Sequence, residues 1–292
     1  MAHHHHHHHS EKNIGIAFLL NLVFTIVEFI GGWWTNSLAI MSDAVHDLGD
    51  SLSLGLAWYF ERIAKRPVDA HFTYGYKRFS VVGAIINSIV LIIGAFFILQ
   101  TAIPRLFDPQ SANSIGMIGL AFLGILFNGL AYWKTHKGHS HNESVISLHL
   151  LEDTLGWAAV LIGAVVMYFT NWYLIDPILS IAISLFILYN VIKNIRQTLN
   201  IILQGSPDHI SHNTVLEKIK SIDDVLDVHD LHIWTMDGRL HVLTAHVVVS
   251  KSHSLKDITD IKKQIHQSML SCDIHHCTIE FESEGEVCEV IH

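Results

Sequence analysis

The same spacing of a histidine and an aspartate occurs twice in this sequence. One copy is His46-x-x-x-Asp50 and the other is His149-x-x-x-Asp153. Residues four positions apart lie on one face of a helix, so each copy presents an imidazole and a carboxylate together. Two such helices supply two nitrogens and two oxygens, which is a tetrahedral set that Zn²⁺ accepts. The spacing therefore predicts a metal site between two helices.

Further carboxylates accompany both pairs. Asp43 and Asp47 share the helix face of His46, and Glu152 precedes Asp153. Carboxylates this close do not all stay ionised without a cation nearby. The matching pair on the second helix selects His46 and Asp50 as ligands, which leaves Asp43, Asp47 and Glu152 to support or gate the site. The alternative is a satisfied polar network that links two helices and binds no metal.

The elements that carry these pairs are predicted to cross a membrane. Half of the 292 residues are hydrophobic and only 15% are charged, which is too apolar for an ordinary soluble domain. Six apolar runs have about the length that crosses roughly 30 Å of hydrocarbon. They begin near Ile14, Leu38, Val81, Ile115, Trp157 and Pro177. Ionisable residues inside such runs typically mark ion pathways, and Glu28 in the first run is expected to face protein.

Three domains are predicted. Residues 1–10 hold seven consecutive histidines and are interpreted as a purification tag. Residues 11–203 form an all-α bundle of six transmembrane helices, and residues 204–292 form a cytoplasmic α+β domain. In that domain the apolar patterns predict the order αββαβ, which indicates a small ferredoxin-like sandwich. Its net charge of −8 disfavours nucleic acid as a partner and suits a site that attracts cations.

The basic residues of the short loops predict the orientation in the membrane. Ten Lys and Arg residues fall on one side of the six-span layout, whereas only Arg105 falls on the other. Positive residues concentrate in cytoplasmic loops, so both termini are predicted to be cytoplasmic. The three cysteines, Cys272, Cys277 and Cys288, then lie in a reducing compartment, where a structural disulfide is not expected.

Beyond these patterns, the chain resembles the cation diffusion facilitator family of zinc transporters. The resemblance covers nearly everything after the histidine run. Four motifs in the predicted membrane domain and two in the cytoplasmic domain carry it. They are Asn36-Ser-Leu-Ala-Ile-Met-Ser-Asp43-Ala-Val-His46-Asp-Leu-Gly-Asp50, Tyr74-Gly-Tyr-Lys77-Arg-Phe, His149-x-x-x-Asp153 and Asp176-Pro-Ile, and then Val228-His-Asp-Leu-His232-Ile-Trp and Thr278-Ile-Glu-Phe-Glu282.

The resemblance implies a homodimer in the cell (inner) membrane that exports Zn²⁺ from the cytoplasm in exchange for protons, by alternating access. It also implies that His46, Asp50, His149 and Asp153 hold the transported ion. The chemistry of the side chains agrees with this, because a histidine must be neutral to bind metal, so that metal and proton compete for one nitrogen. Two imidazoles favour Zn²⁺, with Co²⁺ and Cd²⁺ as further cargoes, over Mn²⁺ or Mg²⁺.

Additional metal sites follow from the resemblance. Asp69 and His71 lie in the loop where some members of the family bind a second ion, although Tyr76 replaces a histidine there. His136, His139 and His141 form a histidine-rich loop that either gathers zinc or is merely solvated. In the cytoplasmic domain the zinc ligands are expected among His229, His232, His246, His275, Glu280 and Glu282. Strand alternation would point His229 and His232 to opposite faces, so only one of them could join a simple site.

Two other classes of function also fit part of the sequence. A membrane zinc metalloenzyme would also use histidine and aspartate ligands, but the sequence has no HExxH motif and no nucleophile elbow. A membrane-tethered zinc sensor would account for the acidic, histidine-rich cytoplasmic domain. Zinc flux across a membrane distinguishes the transporter from both.

Overall fold

The computed structural model describes residues 7–135, 141–286 and 288. It contains the helices α1 (His7–Thr35), α2 (Leu38–Ala64), α3 (Phe79–Arg105), α4 (Ser114–Thr135), α5 (His141–Thr170), α6 (Ile175–Ile202), α7 (His212–Lys220) and α8 (Leu255–Leu270), and the strands β1 (Val225–Thr235), β2 (His241–Val249) and β3 (Ile274–Ser283).

The chain divides into two compact units. The first comprises the helices up to Arg62 together with Gly83–Ile195, and the second comprises Ile63–Val82 together with the chain from Arg196 onward. Within the described residues, four helical segments are long and apolar enough to cross a membrane: Phe79–Arg105, Ser114–Trp133, Leu148–Thr170 and Ile175–Ile202. The protein is therefore an integral membrane protein. The helices α1 and α2 are as long but carry more polar side chains.

The core of the helical unit lies around Trp157, which is 1% exposed. Small residues on α2, α4 and α5 surround it, among them Ala39, Ala121 and Ala164. On α4, a Cβ atom built at Gly124 would lie only 2.3 Å from the indole of Trp157. Gly124 therefore permits the close approach of α4 and α5, the kind of contact that small residues provide between membrane helices.

Replacing Gly124 with alanine is expected to destabilise the bundle. The indole is fully enclosed and has no free direction in which to move, and overpacking of this kind costs about 1–3 kcal/mol. Thermal unfolding in detergent measures the loss as a lower midpoint. Gly119→Ala is the matched control on the same helix, because a Cβ there meets nothing within 4 Å. Equal midpoints for the two variants would contradict the packing argument.

A buried carboxylate joins α6 to the start of α2. Asp176 accepts hydrogen bonds from Ser37 Oγ at 2.6 Å and from the backbone N–H groups of Leu38 at 2.8 Å and Ala39 at 3.1 Å. These backbone groups are among the first N–H groups of α2, which have no partner inside the helix. A side chain from another helix thus caps α2, which orients the helix that carries His46 and Asp50.

The second unit contains a three-stranded sheet in the order β1-β2-β3. The strands β1 and β2 are antiparallel, whereas β2 and β3 are parallel. One face of the sheet packs on α7 and α8 through Leu243, Ala245, Val247, Ile261 and Ile265. The other face carries His246 and Glu282. Ser254 and Asp257 form a capping box at the start of α8, and the Ser254 hydrogen bonds hold the pKa of Asp257 below its usual value.

The predicted succession αββαβ agrees with the order of α7, β1, β2, α8 and β3. The prediction that His229 and His232 point to opposite faces of β1 is wrong, however. His229 pairs with His246 and His232 pairs with Thr244. An advance of three residues along β1 therefore corresponds to only two residues along β2. This irregularity includes Asp230, whose φ is +48°. The extra residue shifts the alternation, and both histidines lie on the face that carries His246.

Candidate metal centre

The two His-x-x-x-Asp pairs meet between α2 and α5. His149 Nε2 lies 3.0 Å from Asp50 Oδ2 and 3.7 Å from Asp153 Oδ2. His46 Nε2 lies 3.8 Å from Asp50 Oδ2 and 3.7 Å from Asp153 Oδ1. Each imidazole thus faces both carboxylates, and the two rings lie edge to face with centroids 6.0 Å apart. The helix pattern alone placed each pair on one face, and the structure brings the two faces together.

Three of these four separations are too long for hydrogen bonds, which end near 3.2 Å for an N–H donor. They are nearer to the spacing of ligands around one ion, although Asp153 offers Oδ1 to His46 and Oδ2 to His149. Two donors at about 2.0–2.1 Å from a tetrahedral Zn²⁺ are themselves about 3.3–3.4 Å apart. Ligand atoms of His46, Asp50 and His149 all lie within 4.8 Å of one another. Asp153 Oδ1, which faces His46, is buried and accepts no hydrogen bond from the part of the chain that the structure describes.

Three further acidic side chains are buried near these four residues. Glu28 is 1% exposed, and Asp43 and Asp47 are each 6% exposed. Within the described residues no N–H or hydroxyl group donates a hydrogen bond to Glu28, and its main electrostatic neighbours are Asp47 and Asp43. The expectation that Glu28 faces protein is confirmed. Glu152, in contrast, is exposed on α5.

The helices that carry this cluster of acids have Lys or Arg only near their ends, at Lys12 of α1 and Arg62 of α2. The sequence holds neither residue between Lys12 and Arg62, and neither within α5. The groups that remain to neutralise these carboxylates are protons, the imidazoles of His46 and His149, or a bound cation. Isolated carboxylates are costly to bury in their charged form, so the arrangement favours either a cation or protons at the site.

A second group of ligand side chains lies on the open face of the sheet. His246 Nδ1 is 2.6 Å from Glu282 Oε1, and His229 Nε2 is 3.2 Å from Glu282 Oε2. Cys288 Sγ lies 3.5 Å from His246 Nδ1. Glu280 Oε2 approaches His246 Nε2 to 3.5 Å. Four of the predicted residues, His229, His246, Glu280 and Glu282, therefore come together, joined by a cysteine.

His232 and His275 take other positions. His232 Nε2 lies 2.8 Å from Asp230 Oδ1. The second carboxylate oxygen of Asp230 lies 3.5 Å from His246 Nε2, so Asp230 links His232 to the group on the sheet. His275 Nδ1 lies 3.9 Å from Asp273 Oδ1, in the turn before β3. A shared site for His275 with His246 stays a prediction.

The loop residues Asp69 and His71 are arranged as a turn. Asp69 Oδ1 accepts the backbone N–H groups of His71 and Phe72, both at 2.8 Å, and Oδ2 accepts the hydroxyl of Tyr76. These hydrogen bonds, that of Tyr76 foremost, lower the pKa of Asp69. Across the residues that the structure covers, Asp69 and His71 join no third ligand side chain. A loop metal site therefore stays a prediction.

The histidine-rich loop and the cysteines are the remaining groups that the sequence singled out. His136 and His139 lie outside the described residues, as does the side chain of His141. Cys272, Cys277 and Cys288 are free thiols. Burial raises the pKa of Cys277 to about 11, so this side chain stays protonated at neutral pH, whereas a metal ligand must be a thiolate.

Comparison with known proteins agrees with this arrangement of two units. Residues 14–203 match the cation efflux transmembrane domain, and residues 207–284 match the cytoplasmic domain of cation efflux proteins. The chain belongs to the cation efflux family. The predicted resemblance is thereby confirmed, and this is a family of transporters rather than enzymes.

Curated relatives of this cation efflux protein match it over nearly their whole length. It is 31% identical to the cadmium, cobalt and zinc/H(+)-K(+) antiporter of Bacillus subtilis, over 98% of this chain and 93% of the relative. It is 34% identical to the metal cation efflux system protein CzcD of Cupriavidus metallidurans, over 96% and 89%. It is 33% identical to the zinc transporter ZitB of Escherichia coli, over 96% and 90%.

Two residues of these groups escaped the sequence argument. Asp230 was not expected to reach His246, because the irregularity that turns it is not visible in the pattern of apolar residues. From the sequence, Cys288 is expected only to be a reduced thiol in the cytoplasmic domain. It follows β3 closely enough to return to the sheet, and that proximity was the one available indication of its place beside His246.

Proposed function

We propose that this cation efflux protein exports Zn²⁺ from the cytoplasm in exchange for protons, by alternating access. The transported ion is held by His46, Asp50, His149 and Asp153. The observation that carries the proposal is the mutual spacing of these four side chains, in which each imidazole faces both carboxylates at 3.0–3.8 Å. That spacing fits one tetrahedral ion better than it fits four hydrogen bonds.

Exchange with protons follows from the chemistry of the ligands. A histidine binds metal only when its nitrogen is free, so a proton on His46 or His149 competes with Zn²⁺ directly. The nearby carboxylates also need either a cation or protons when buried. A site that holds the ion on one side of the membrane and protons on the other satisfies both requirements, and the two states are the ends of an antiport cycle.

The choice of metal rests on the donor set. Two imidazole nitrogens and two carboxylate oxygens suit Zn²⁺, Co²⁺ and Cd²⁺ better than Mn²⁺ or Mg²⁺, which prefer oxygen. The names of the relatives in Bacillus subtilis and Escherichia coli include cadmium, cobalt and zinc, which supports the same range. We infer Zn²⁺ as the main cargo, with Co²⁺ and Cd²⁺ as further ones.

The proposed architecture is a homodimer in the cell (inner) membrane. Each chain contributes six transmembrane helices within 11–203, with both termini in the cytoplasm, and a ferredoxin-like domain within 204–292. The asymmetry of loop Lys and Arg supports the orientation. The helices α1 and α2 are included as transmembrane helices. Their polar side chains, Glu28 on α1 and His46 and Asp50 on α2, face other helices rather than lipid.

A structural zinc ion in the cytoplasmic domain is part of the proposal. His229, His246 and Glu282 supply its ligands, and Cys288 is placed to supply a fourth. Their 2.6 and 3.2 Å separations are short enough for hydrogen bonds in the metal-free protein, so binding would replace those bonds. The same group supports a second candidate function, a membrane-tethered zinc sensor that binds the ion without moving it.

Zinc flux into proteoliposomes tests the proposal. With an acidic interior, protons leave the vesicle through the protein and Zn²⁺ enters, because protonation on the acidic side releases the ion from His46 and His149. We expect zinc uptake well above that of vesicles without a pH gradient, and a return to that level when a protonophore collapses the gradient. Uptake that ignores the gradient contradicts proton exchange, and binding without uptake favours the sensor.

A further inference from the structure

A third group of ligand side chains lies at the end of the sheet where β2 and β3 begin. His209 precedes α7, His241 is the first residue of β2, and Asp273 lies in the turn between α8 and β3. His241 Nε2 is 3.5 Å and His209 Nε2 is 3.7 Å from the same oxygen, Asp273 Oδ2. The two rings meet edge to face with centroids 4.9 Å apart.

These separations have the spacing of metal ligands. The three donor atoms all lie within 4.8 Å of one another. Both nitrogen–oxygen distances exceed the normal range of a hydrogen bond and approach the roughly 3.3–3.4 Å expected between two donors on a tetrahedral Zn²⁺. Hydrogen bonding among the three side chains therefore does not account for their convergence.

Burial at His241 gives an independent indication of a site. The residue is 1% exposed, and its Nδ1 has no hydrogen-bond partner among the described residues. A buried imidazole that contributes no hydrogen bond to the fold is costly to keep. Asp273 lies in the turn after α8 with φ +60°, and its Oδ2 faces both histidines.

The group is separate from the one that contains His246. His246 is five positions beyond His241 on β2, a distance of about 16 Å along a strand. An odd separation places the two side chains on opposite faces. His241 shares its face with Leu243 and Ala245, which pack in the core, whereas His246 lies on the open face.

We propose that His209, His241 and Asp273 bind a divalent cation of the zinc class, namely Zn²⁺, Co²⁺ or Cd²⁺. Two imidazoles and one carboxylate form a ligand set that zinc accepts, with the fourth position open to water. The ion joins three segments that are distant in sequence: the residues before α7, the start of β2 and the turn before β3. It therefore fixes the segment around His209 to the sheet when zinc is available.

The test is the number of ions bound by the full-length protein in detergent, measured with Zn²⁺ after equilibrium dialysis. His209→Gln and Asp273→Asn are the variants of choice, because both side chains are 58% exposed and asparagine tolerates the left-handed backbone of Asp273. Each is expected to bind one ion fewer per chain than the wild type. His266→Gln, on α8, is the matched control and is expected to bind the wild-type number.

Two measurements distinguish ion binding at this site from ion binding at the transport site. In an Asp50→Asn background, Asp273→Asn is expected to remove one further ion, because the two sites are separate. Hydrogen exchange of the segment 205–211 is expected to slow on addition of Zn²⁺ in the wild type but not in Asp273→Asn. An unchanged ion count in both His209→Gln and Asp273→Asn, or the same loss in His266→Gln, overturns the proposal. Neither outcome bears on zinc transport through Asp50.

Discussion

Replacing Asp50 with alanine is expected to abolish zinc transport. Asp50 Oδ2 lies 3.0 Å from His149 and 3.8 Å from His46, so one carboxylate serves both imidazoles. Its loss removes an oxygen ligand and a negative charge from the site. Changes outside the ligand shell already weaken metal binding by about 10- to 100-fold, and removal of a ligand is expected to exceed that range. The measurement is zinc uptake into proteoliposomes with an acidic interior.

Asp108→Ala is the matched control for the loss of a carboxylate. Asp108 lies in the loop between α3 and α4 and is exposed, so its removal is expected to leave the flux unchanged. Asp50 has a side chain that is 30% exposed, and alanine there leaves no large cavity in the core. Normal thermal stability of Asp50→Ala together with lost flux supports a direct role. Flux at the wild-type rate in Asp50→Ala would rule out this site as the transport site.

The parts of the site that depend on local geometry were predictable from the sequence. A spacing of four residues places His46 and Asp50 on the same face of their helix, and this does not depend on what the helix packs against. The convergence of the two pairs was inferred from their identical pattern, and the structure brings them within 3.0–3.8 Å. The order of helices and strands in the second unit was likewise visible, because apolar periodicity is a local signal.

Long-range features were not predictable in this way. Asp176 caps α2 from a position 138 residues beyond Leu38, and nothing in its neighbourhood indicates that partner. The irregularity at Asp230 inverts the alternation that placed His229 and His232 on opposite faces. His209, His241 and Asp273 come from three separate segments and share no spacing. Each of these contacts depends on tertiary pairing, which apolar patterns do not specify.

Exchanging a nitrogen ligand for an oxygen ligand is expected to change which metal the protein transports. His149→Asp converts a set of two nitrogens and two oxygens into one nitrogen and three oxygens. Imidazole favours Zn²⁺, whereas Mn²⁺ prefers carboxylate oxygens. The ratio of zinc to manganese flux is therefore expected to fall by at least about tenfold, because even changes outside the ligand shell alter metal binding by about 10- to 100-fold. Uptake of both ions by the same proteoliposome preparation measures the ratio.

The reciprocal variant Asp153→His separates ligand chemistry from simple damage to the site. It adds a third nitrogen at a side chain that is only 9% exposed and whose Oδ1 accepts no hydrogen bond from any described residue. If these residues coordinate the ion, the ratio of zinc to manganese flux moves in opposite directions in the two variants. A perturbation of helix packing alone would lower the flux of both metals equally in each variant. Parallel losses without a change in the ratio would therefore place the coordination of the transported ion elsewhere.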